Sequence, residues 1–285
     1  MATQDKNELP AAGRYSPAVA LEFFKGAGKP EDIARGAVIF AENEKARPYL
    51  FMRDKMYLLL DGEVDLVARK KVIGTVAKGG IFGEMASITH APRTASAVAK
   101  TACRVIALDD KQFQDGLRKN PDFALMLMSM MIGRLRETIA RLAEQTTLRG
   151  DAPMKESVVF DPKRLAELVE GLSSDEPVYF DRGKSIVQEG QMGLRMYVVL
   201  EGRVAVSILG GGVIERLGPG GAFGELALIE QAPRLASVVA DTDCQLLPIN
   251  RAAFLMLVKT SPEFAASLLG PLAERLRLLT LRLKH

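Results

Sequence analysis

Glu84 and Arg93 stand nine residues apart in the stretch IFGEMASITHAPRTASA, Ile81 to Ala97. Glu225 and Arg234 repeat that spacing in AFGELALIEQAPRLASV, Ala222 to Val238, and ten of the seventeen positions are identical at a constant offset of 141. Ala-Pro-Arg places a guanidinium after a rigid turn, and a guanidinium suits bidentate contact with phosphate or carboxylate oxygens. The Phe-Gly-Glu run before it reads as a helix start, with Gly83 and Gly224 allowing close approach of backbone. The N–H groups of a helix start also favour an anion. The two acids do not suit a plain phosphate site, because a carboxylate repels phosphate. They suit a ligand that also offers a hydroxyl, as a ribose 2′-OH would. Phosphate and a free 2′-OH close together on one sugar describe a 3′,5′-cyclic nucleotide. The alternative is an Arg–Glu pair that only fixes a turn. A second copy, with its glycine and Ala-Pro framing intact, favours the ligand.

The elements around the two stretches repeat as well. MYLLLDGEVDLVA (Met56 to Ala68) returns as MYVVLEGRVAVSI (Met196 to Ile208). Each is two β-type runs joined by a turn dipeptide, Asp61-Gly62 or Glu201-Gly202, which predicts a hairpin. FQDGLRKNPDF (Phe113 to Phe123) returns as FLMLVKTSPEF (Phe254 to Phe264), and GRLRETIARL returns as ERLRLLTLRL. Ser16-Pro17 and Asp161-Pro162 predict helix starts, with a capping side chain before a proline at the first helical position. Each leads to an Arg-Gly turn, at Gly36 and Gly183. Repeat 1 carries a longer loop, ENEKARPYLFMRDK, which a chain tolerates cheaply. The polar segment QTTLRGDAP, Gln145 to Pro153, predicts the boundary between domains 1–150 and 151–285. Each unit thus reads as a short helix, many short strands and a helical tail. The expected fold class is α+β: two tandem antiparallel β-rolls (jelly rolls) with flanking helices.

Composition narrows the function. The chain has 285 residues, 48% hydrophobic and 26% charged, the profile of globular protein. A formal net charge of +3 is too small to argue for nucleic acid or an anionic membrane. The N-terminus MATQDKNELP has no apolar core, so no signal peptide is expected. The longest uncharged apolar run, Phe123 to Gly133, is far short of the ~20 residues that span a bilayer. The expected localisation is cytoplasmic. Cys103 and Cys244 also lie 141 apart, which predicts one buried strand position seen twice rather than a disulfide. Two histidines, His90 and His285, cannot build a His-rich metal site. No nucleophile–base arrangement is present, so the chain is not expected to be an enzyme and needs no cofactor beyond its ligand.

FGEMASITHAPRTASA and FGELALIEQAPRLASV resemble the phosphate-binding cassette of cyclic-nucleotide-binding domains, found in cAMP-dependent kinase regulatory subunits, gated channels and the bacterial catabolite-activator family. The resemblance covers roughly Ser16 to Leu148 and Asp161 to His285. It implies that Glu84 and Glu225 bind the ribose 2′-OH and that Arg93 and Arg234 bind the cyclic phosphate. It implies further that backbone N–H groups near Met85, Ala86 and Ala95 complete the first cradle, with Leu226, Ala227 and Ala236 in the second. The tail of repeat 1 looks closest to the catabolite-activator branch. There a threonine three residues after a leucine touches the adenine, which Thr138 after Leu135 matches. The residue after the cassette arginine usually carries a hydroxyl, which Thr94 matches. Thr94 is also compatible with cGMP. Repeat 2 departs from the pattern: Leu235 replaces the hydroxyl residue, Leu279 stands where Thr138 stands, and Pro271 interrupts the tail helix after Gly270. The first site is therefore expected to bind more tightly than the second.

The tails carry apolar stripes. Met128, Ile132, Leu135, Ile139 and Leu142 form one, and Leu269, Leu272, Leu276, Leu279 and Leu283 form the other. Such stripes serve as coiled-coil seams, giving a homodimer, or pack on their own β-roll. After Thr147 a catabolite activator would continue into a DNA-binding domain, whereas here a second β-roll begins, so no specific DNA binding is expected. The reading is a tandem sensor, for cAMP above all, that signals to an unidentified protein partner by moving its helices. A cGMP or cyclic dinucleotide receptor on the same fold is the alternative, with Arg134 or Arg136 available to a second phosphate. A DNA-associated regulator and a cupin-type enzyme are further rivals; the second would need strand histidines that this chain lacks.

Overall fold

The computed structural model describes residues 15–44, 54–144, 158–172, 176–208 and 213–282. The expected linker, the middle of the longer loop and Leu283 lie outside the described residues. By compactness the described chain divides into Tyr15–Met126 and Leu127 onward.

Repeat 1 runs α1 (Pro17–Ala27), β1 (Pro30–Ile33), β2 (Val38–Phe40), β3 (Lys55–Asp61), β4 (Glu63–Ala68), β5 (Lys71–Ala77), β6 (Ile81–Phe82), α2 (Glu84–Thr89), β7 (Ser96–Ala99), β8 (Cys103–Asp109), α3 (Asp110–Lys119) and α4 (Pro121–Glu144). Repeat 2 runs α5 (Pro162–Gly171), β9 (Val178–Phe180), β10 (Ser185–Val187), β11 (Arg195–Glu201), β12 (Val204–Ser207), β13 (Val213–Leu217), β14 (Ala222–Phe223), α6 (Glu225–Glu230), β15 (Ser237–Ala240), β16 (Cys244–Asn250), α7 (Arg251–Thr260) and α8 (Pro262–Arg282). The strands form four antiparallel sheets, two to each repeat, in the orders β1-β8-β3-β6, β2-β7-β4-β5, β14-β11-β16-β9 and β10-β15-β12-β13. This is the expected α+β fold of two tandem β-rolls.

Local chemistry explains the elements. Ser16 accepts from the N–H of Val19 and Asp161 from that of Arg164, each with proline at the helix start. Gly36 and Gly183 take the left-handed conformation at their turns. In β3 the alternation splits a continuous apolar run. Tyr57 and Leu59 join Phe40, Val64, Phe82 and Val105 inside the roll. Met56 and Leu58 point the other way and are equally buried. Phe23 of α1 stacks on Phe123 at the start of α4, 3.6 Å between ring centres, with Phe24 and Phe113 edge-on. Each such buried ring is worth about 1.5–3 kcal/mol. Cys103 and Cys244 are free, buried and at the same place in the two roll cores.

Two expectations fail. Asp61-Gly62 and Glu201-Gly202 do not close hairpins. β3 pairs with β6 and β8, whereas β4 pairs with β5 and β7, and repeat 2 does the same. The favoured two-residue hairpin turns both need positive φ at their first central residue, here Asp61 or Glu201. Here the glycine alone is left-handed, with φ 92° at Gly62 and 78° at Gly202, and it carries the chain from one sheet to the other. Pro271 does not interrupt its helix either, for α8 continues through it to Arg282. Leu268 and Leu269 before the proline and Leu272, Ala273 and Leu276 after it are all buried, so packing on both sides outweighs the lost backbone bond.

The two tail stripes are buried within the chain. Met128, Ile132, Leu135 and Leu142 are at most 3% exposed, and Leu269, Leu272, Leu276 and Leu279 at most 2%. From Leu127 on, α4 groups with the second compact unit.

Candidate functional site

Each cassette is hung between a strand end and a return strand. β6 ends at Phe82, paired to Tyr57 of β3, and β14 ends at Phe223, paired to Tyr197 of β11. Gly83 and Gly224 then take φ of 76° and 87° and cap the short helices α2 and α6. Glycine is required there twice over. The left-handed backbone disfavours a side chain, and a Cβ at Gly83 would lie 3.0 Å from the Arg93 guanidinium, at Gly224 2.5 Å from that of Arg234. The N–H groups of the first turn, Met85 and Ala86 among them, have no acceptor inside their own helix.

The two arginines are held alike. The backbone of Arg93 pairs with Asn43 and Glu44, and that of Arg234 with Gly190 and Gln191. Arg93 donates from Nη1 to the Gly83 carbonyl (2.7 Å) and from Nη2 to the Lys55 carbonyl (2.8 Å). Arg234 donates to the matching carbonyls of Gly224 and Arg195. Both side chains are buried. Burial lowers the pKa of each below the usual arginine value. A buried guanidinium of this kind draws an anion more strongly than one in water.

The two sites differ in what surrounds the arginine. In repeat 1 the Phe40 ring lies 4.2 Å from the Arg93 guanidinium carbon, a cation–π contact. Asp54, just before β3, lies 3.6 Å from Arg93 Nη2, and both side chains are 5% exposed. Its Oδ2 is buried with no hydrogen-bond partner. Repeat 2 has Leu194 in that place, 80% exposed. The sequence offered only a weak signal for Asp54, an acid flanking the repeated strand and absent from the other copy.

Burial raises the Asp54 pKa above its ordinary 3.8, against the pull of Arg93. From about pH 4 upward to that raised value, the folded state therefore holds more protons than the unfolded. This residue's contribution to stability is full below that window and is lost as pH rises through it. Asp54→Asn is expected to remove the slope, and thermal melts of the two proteins across mildly acid pH measure it. Identical slopes would show that Asp54 is not the group that titrates.

In repeat 2 the acid is engaged from the tail. Glu225 is buried, and its Oε1 accepts from Arg275 Nη1 of α8 at 2.8 Å. Arg275 Nε also donates to Glu215 Oε2 (2.8 Å) and Nη2 to the Ala222 carbonyl (3.1 Å). Burial alone would lower the Arg275 pKa, but the two carboxylates outweigh it and hold it above the usual value. Glu225 Oε2 is buried with no partner in the protein. One cleft is lined by Gly224, Glu225, Leu226, Ala227, Arg234, Leu235 and Ala236, the whole expected second set, together with Glu215, Arg275, Leu279 and the α4 residues Leu135 and Ile139. Sequence reasoning missed Glu215 and Arg275 as members. Arg275 had a signal, since Arg134 precedes it by 141; Glu215 had none.

Glu84 is 3% exposed at the head of α2. Thr94 and Ala95 follow Arg93 into β7. Thr138 lies on the part of α4 that groups with the second unit, is buried, and donates to the Arg134 carbonyl. Among the described residues no cluster of His, Cys, Asp and Glu could hold a metal ion, and no single helix is long and apolar enough to cross a membrane.

The family model described as "Cyclic nucleotide-binding domain" matches residues 30–120 and 177–261. Two curated relatives are cAMP-dependent protein kinase regulatory subunits. That of Eremothecium gossypii is 29% identical over 79% of this chain and 42% of its own length. That of Colletotrichum orbiculare is 30% identical over 72% of this chain and 50% of its own. The chain thus spans about half the length of these relatives. Among solved structures, the regulatory domain of Toxoplasma gondii PKA with cAMP is 22% identical, covering 92% of this chain and 95% of that one, with a TM-score of 0.31. The Thermus thermophilus catabolite activator protein is 33% identical over 48% of this chain and 60% of that one, with a TM-score of 0.37.

Proposed function

The chain belongs to the cyclic nucleotide-binding domain family, and from that premise we propose that it is a tandem cyclic-nucleotide sensor, binding cAMP in both repeats and signalling to a protein partner through its C-terminal helices. One observation carries the reading. Glu225 Oε2 is a buried acceptor without a partner, in the same cleft as a buried arginine. An unsatisfied buried acceptor typically costs about 1–3 kcal/mol. A ligand that brings a hydroxyl to the acid and an anion to the arginine offsets that cost, and a cyclic ribose phosphate carries both. The relatives' description as kinase regulatory subunits makes a protein kinase the first class of partner to test. A cyclic dinucleotide is less well served, because Arg136, one candidate for its second phosphate, is already paired with Glu230.

Signalling follows by linkage. A ligand shifts a helix arrangement only as far as it binds one arrangement better than another. Arg275 ties α8 directly to Glu225, so any ligand that engages Glu225 alters what holds that helix.

Calorimetric titration of the nucleotide-free chain with cAMP, cGMP and a cyclic dinucleotide tests the reading. Two equivalents of cAMP are expected. Leu235 in place of a hydroxyl, and Leu279 in place of a second, should make the repeat 2 event weaker by roughly one to two decades, at about 0.5–1.5 kcal/mol for each lost hydrogen bond. No heat with any of the three ligands at concentrations well above the micromolar range would sink the proposal.

A further inference from the structure

The two cassette arginines are not covered alike. In repeat 1 the chain covers Arg93 itself: the Phe40 ring of β2 lies 4.2 Å from the guanidinium carbon, and Asp54 Oδ1 lies 3.6 Å from Nη2. In repeat 2 both covers are missing. Phe40 pairs with Ala97 and Val187 with Val238, so Val187 of β10 holds the place of Phe40. Arg93 donates to the Lys55 carbonyl and Arg234 to that of Arg195, so Leu194 holds the place of Asp54. Valine brings no ring, and Leu194 turns outward, 80% exposed. Among the described residues Arg234 has two carbonyl acceptors and no ion-pair partner.

The two exchanges leave a groove. Ile186, Met192, Leu194, Arg195, Tyr197 and Arg234 line it, with Val187 and two glutamines. About 370 Å³ of it is open to water, ample for one ring and one carboxylate. It shares only Val187 and Arg234 with the cleft that holds Glu225, so the guanidinium borders both. The groove is basic: Arg195 is exposed beside Arg234, and no acidic side chain among the described residues lines it. Its rim is apolar, with Met192 63% exposed next to Leu194. Its form is set by backbone bonds. The Gly190 N–H donates to the Arg234 carbonyl, the Arg234 N–H to that of Gln191, and Met192 bridges to Pro233. Gly193 adds no side chain between them, and a Cβ there would lie 2.3 Å from the guanidinium carbon.

We propose that this groove docks a segment of a protein partner that presents a carboxylate side chain beside an aromatic one, the carboxylate meeting Arg234 and Arg195 and the ring lying on Val187, Met192 and Leu194. The chain supplies the template for that occupant. Repeat 1 covers its own arginine with one carboxylate and one ring, and repeat 2 takes the same two groups from outside. A guanidinium beside a carboxylate makes a charge-assisted bond, and a ring over it adds a cation–π contact. Met192 and Leu194 give the ring apolar surface to bury. The site lies between β10 and β11, away from the C-terminal helices in the chain, and needs no nucleotide in the cleft.

The test uses the full, nucleotide-free chain, isotopically labelled for nuclear magnetic resonance, and the synthetic peptide Gly-Phe-Asp-Phe-Asp-Gly. The peptide is expected to move the Nε–H signals of Arg195 and Arg234 saturably at millimolar concentration. Its counterpart with asparagine for aspartate should bind roughly tenfold more weakly or worse, as the loss of a hydrogen bond to a charged group implies. Leu194→Asp supplies the acid of repeat 1 within the chain, at an exposed position where substitution costs folding little. It should weaken the acidic peptide roughly tenfold while the melting temperature stays that of the parent. Leu194→Ser, which removes only apolar rim, should weaken it a few-fold. An Arg234 signal that does not move, an asparagine peptide that binds as well, or a Leu194→Asp chain that binds like its parent would each overturn the inference. So would a chain that sediments as a dimer and becomes a monomer with Leu194→Asp, which would give the groove to a second copy. Binding of cAMP is measured apart on the same sample, so failure of the nucleotide reading is distinguished from failure of this one.

Discussion

A chain carrying Arg93→Ala together with Arg234→Ala is expected to lose cyclic-nucleotide binding altogether, and each single substitution to lose one of two binding events. The argument is electrostatic. Each guanidinium is buried, and each is oriented by two backbone carbonyls before any ligand arrives. A cyclic phosphate entering such a site without its arginine would be a buried charge lacking its partner, which typically costs about 3–5 kcal/mol. At about 1.4 kcal/mol per decade that is a loss of roughly two to three decades at each site. The arginines also serve the fold, because Arg93 holds the Gly83 and Lys55 carbonyls and faces the buried Asp54. Thermal melts must therefore accompany the titration. Lysine at both positions separates the two roles: it keeps the charge but cannot span two carbonyls and a phosphate in one plane. A well-folded double alanine variant that still binds cAMP normally would remove the cassette assignment.

What the sequence displayed and what it hid follow from the range of the interactions. The cassettes were legible because two copies of one chain kept the same residues at one offset, and Gly83 and Arg93 are bound together by local geometry. The helix starts at Ser16 and Asp161 were legible for the same reason, since a cap is settled within four residues. The corner at Gly62 was not. A turn dipeptide fixes its own backbone, but whether the next strand pairs with the last one depends on strands far along the chain, as when Lys55 of β3 pairs with Asp109 of β8. The continuity of α8 through Pro271 was hidden likewise, because a propensity argument knows nothing of the buried leucines on either side. Asp54 and Glu215 lie where the repeats differ, with Leu194 and Gly74 at the matching positions, so the comparison that exposed the cassettes passed over them. Thr138 and Leu135 were legible as a pair on a helix, yet nothing local says which surface that helix covers. The structure puts Leu135 on the cleft of the second unit.

Arg275→Ala is expected to destabilise the second unit more than any other single change at its cleft. Arg275 is the common partner of two buried acids, Glu215 at 3% and Glu225 at 4% exposure. Removing one member of such a group leaves uncompensated charge in a poorly hydrated place, at about 3–5 kcal/mol. For a unit of this size each kilocalorie shifts the midpoint of melting by about 2–4 °C, so a drop of roughly 10 °C is expected. Arg275→Lys should fall between, because an ammonium reaches one acid well but cannot satisfy Glu215, Glu225 and the Ala222 carbonyl from one planar fork. Replacing all three members by methionine should recover much of the loss, since apolar packing often serves as well as a buried ion group. That triple variant would lack the acid at position 225 and should not bind nucleotide in the second cassette. Stability and binding would then part company at one cluster. If Arg275→Ala melts with its parent at every pH, the three bonds of Arg275 do not hold α8 in place, and the fastening of that wall must be sought among its leucines.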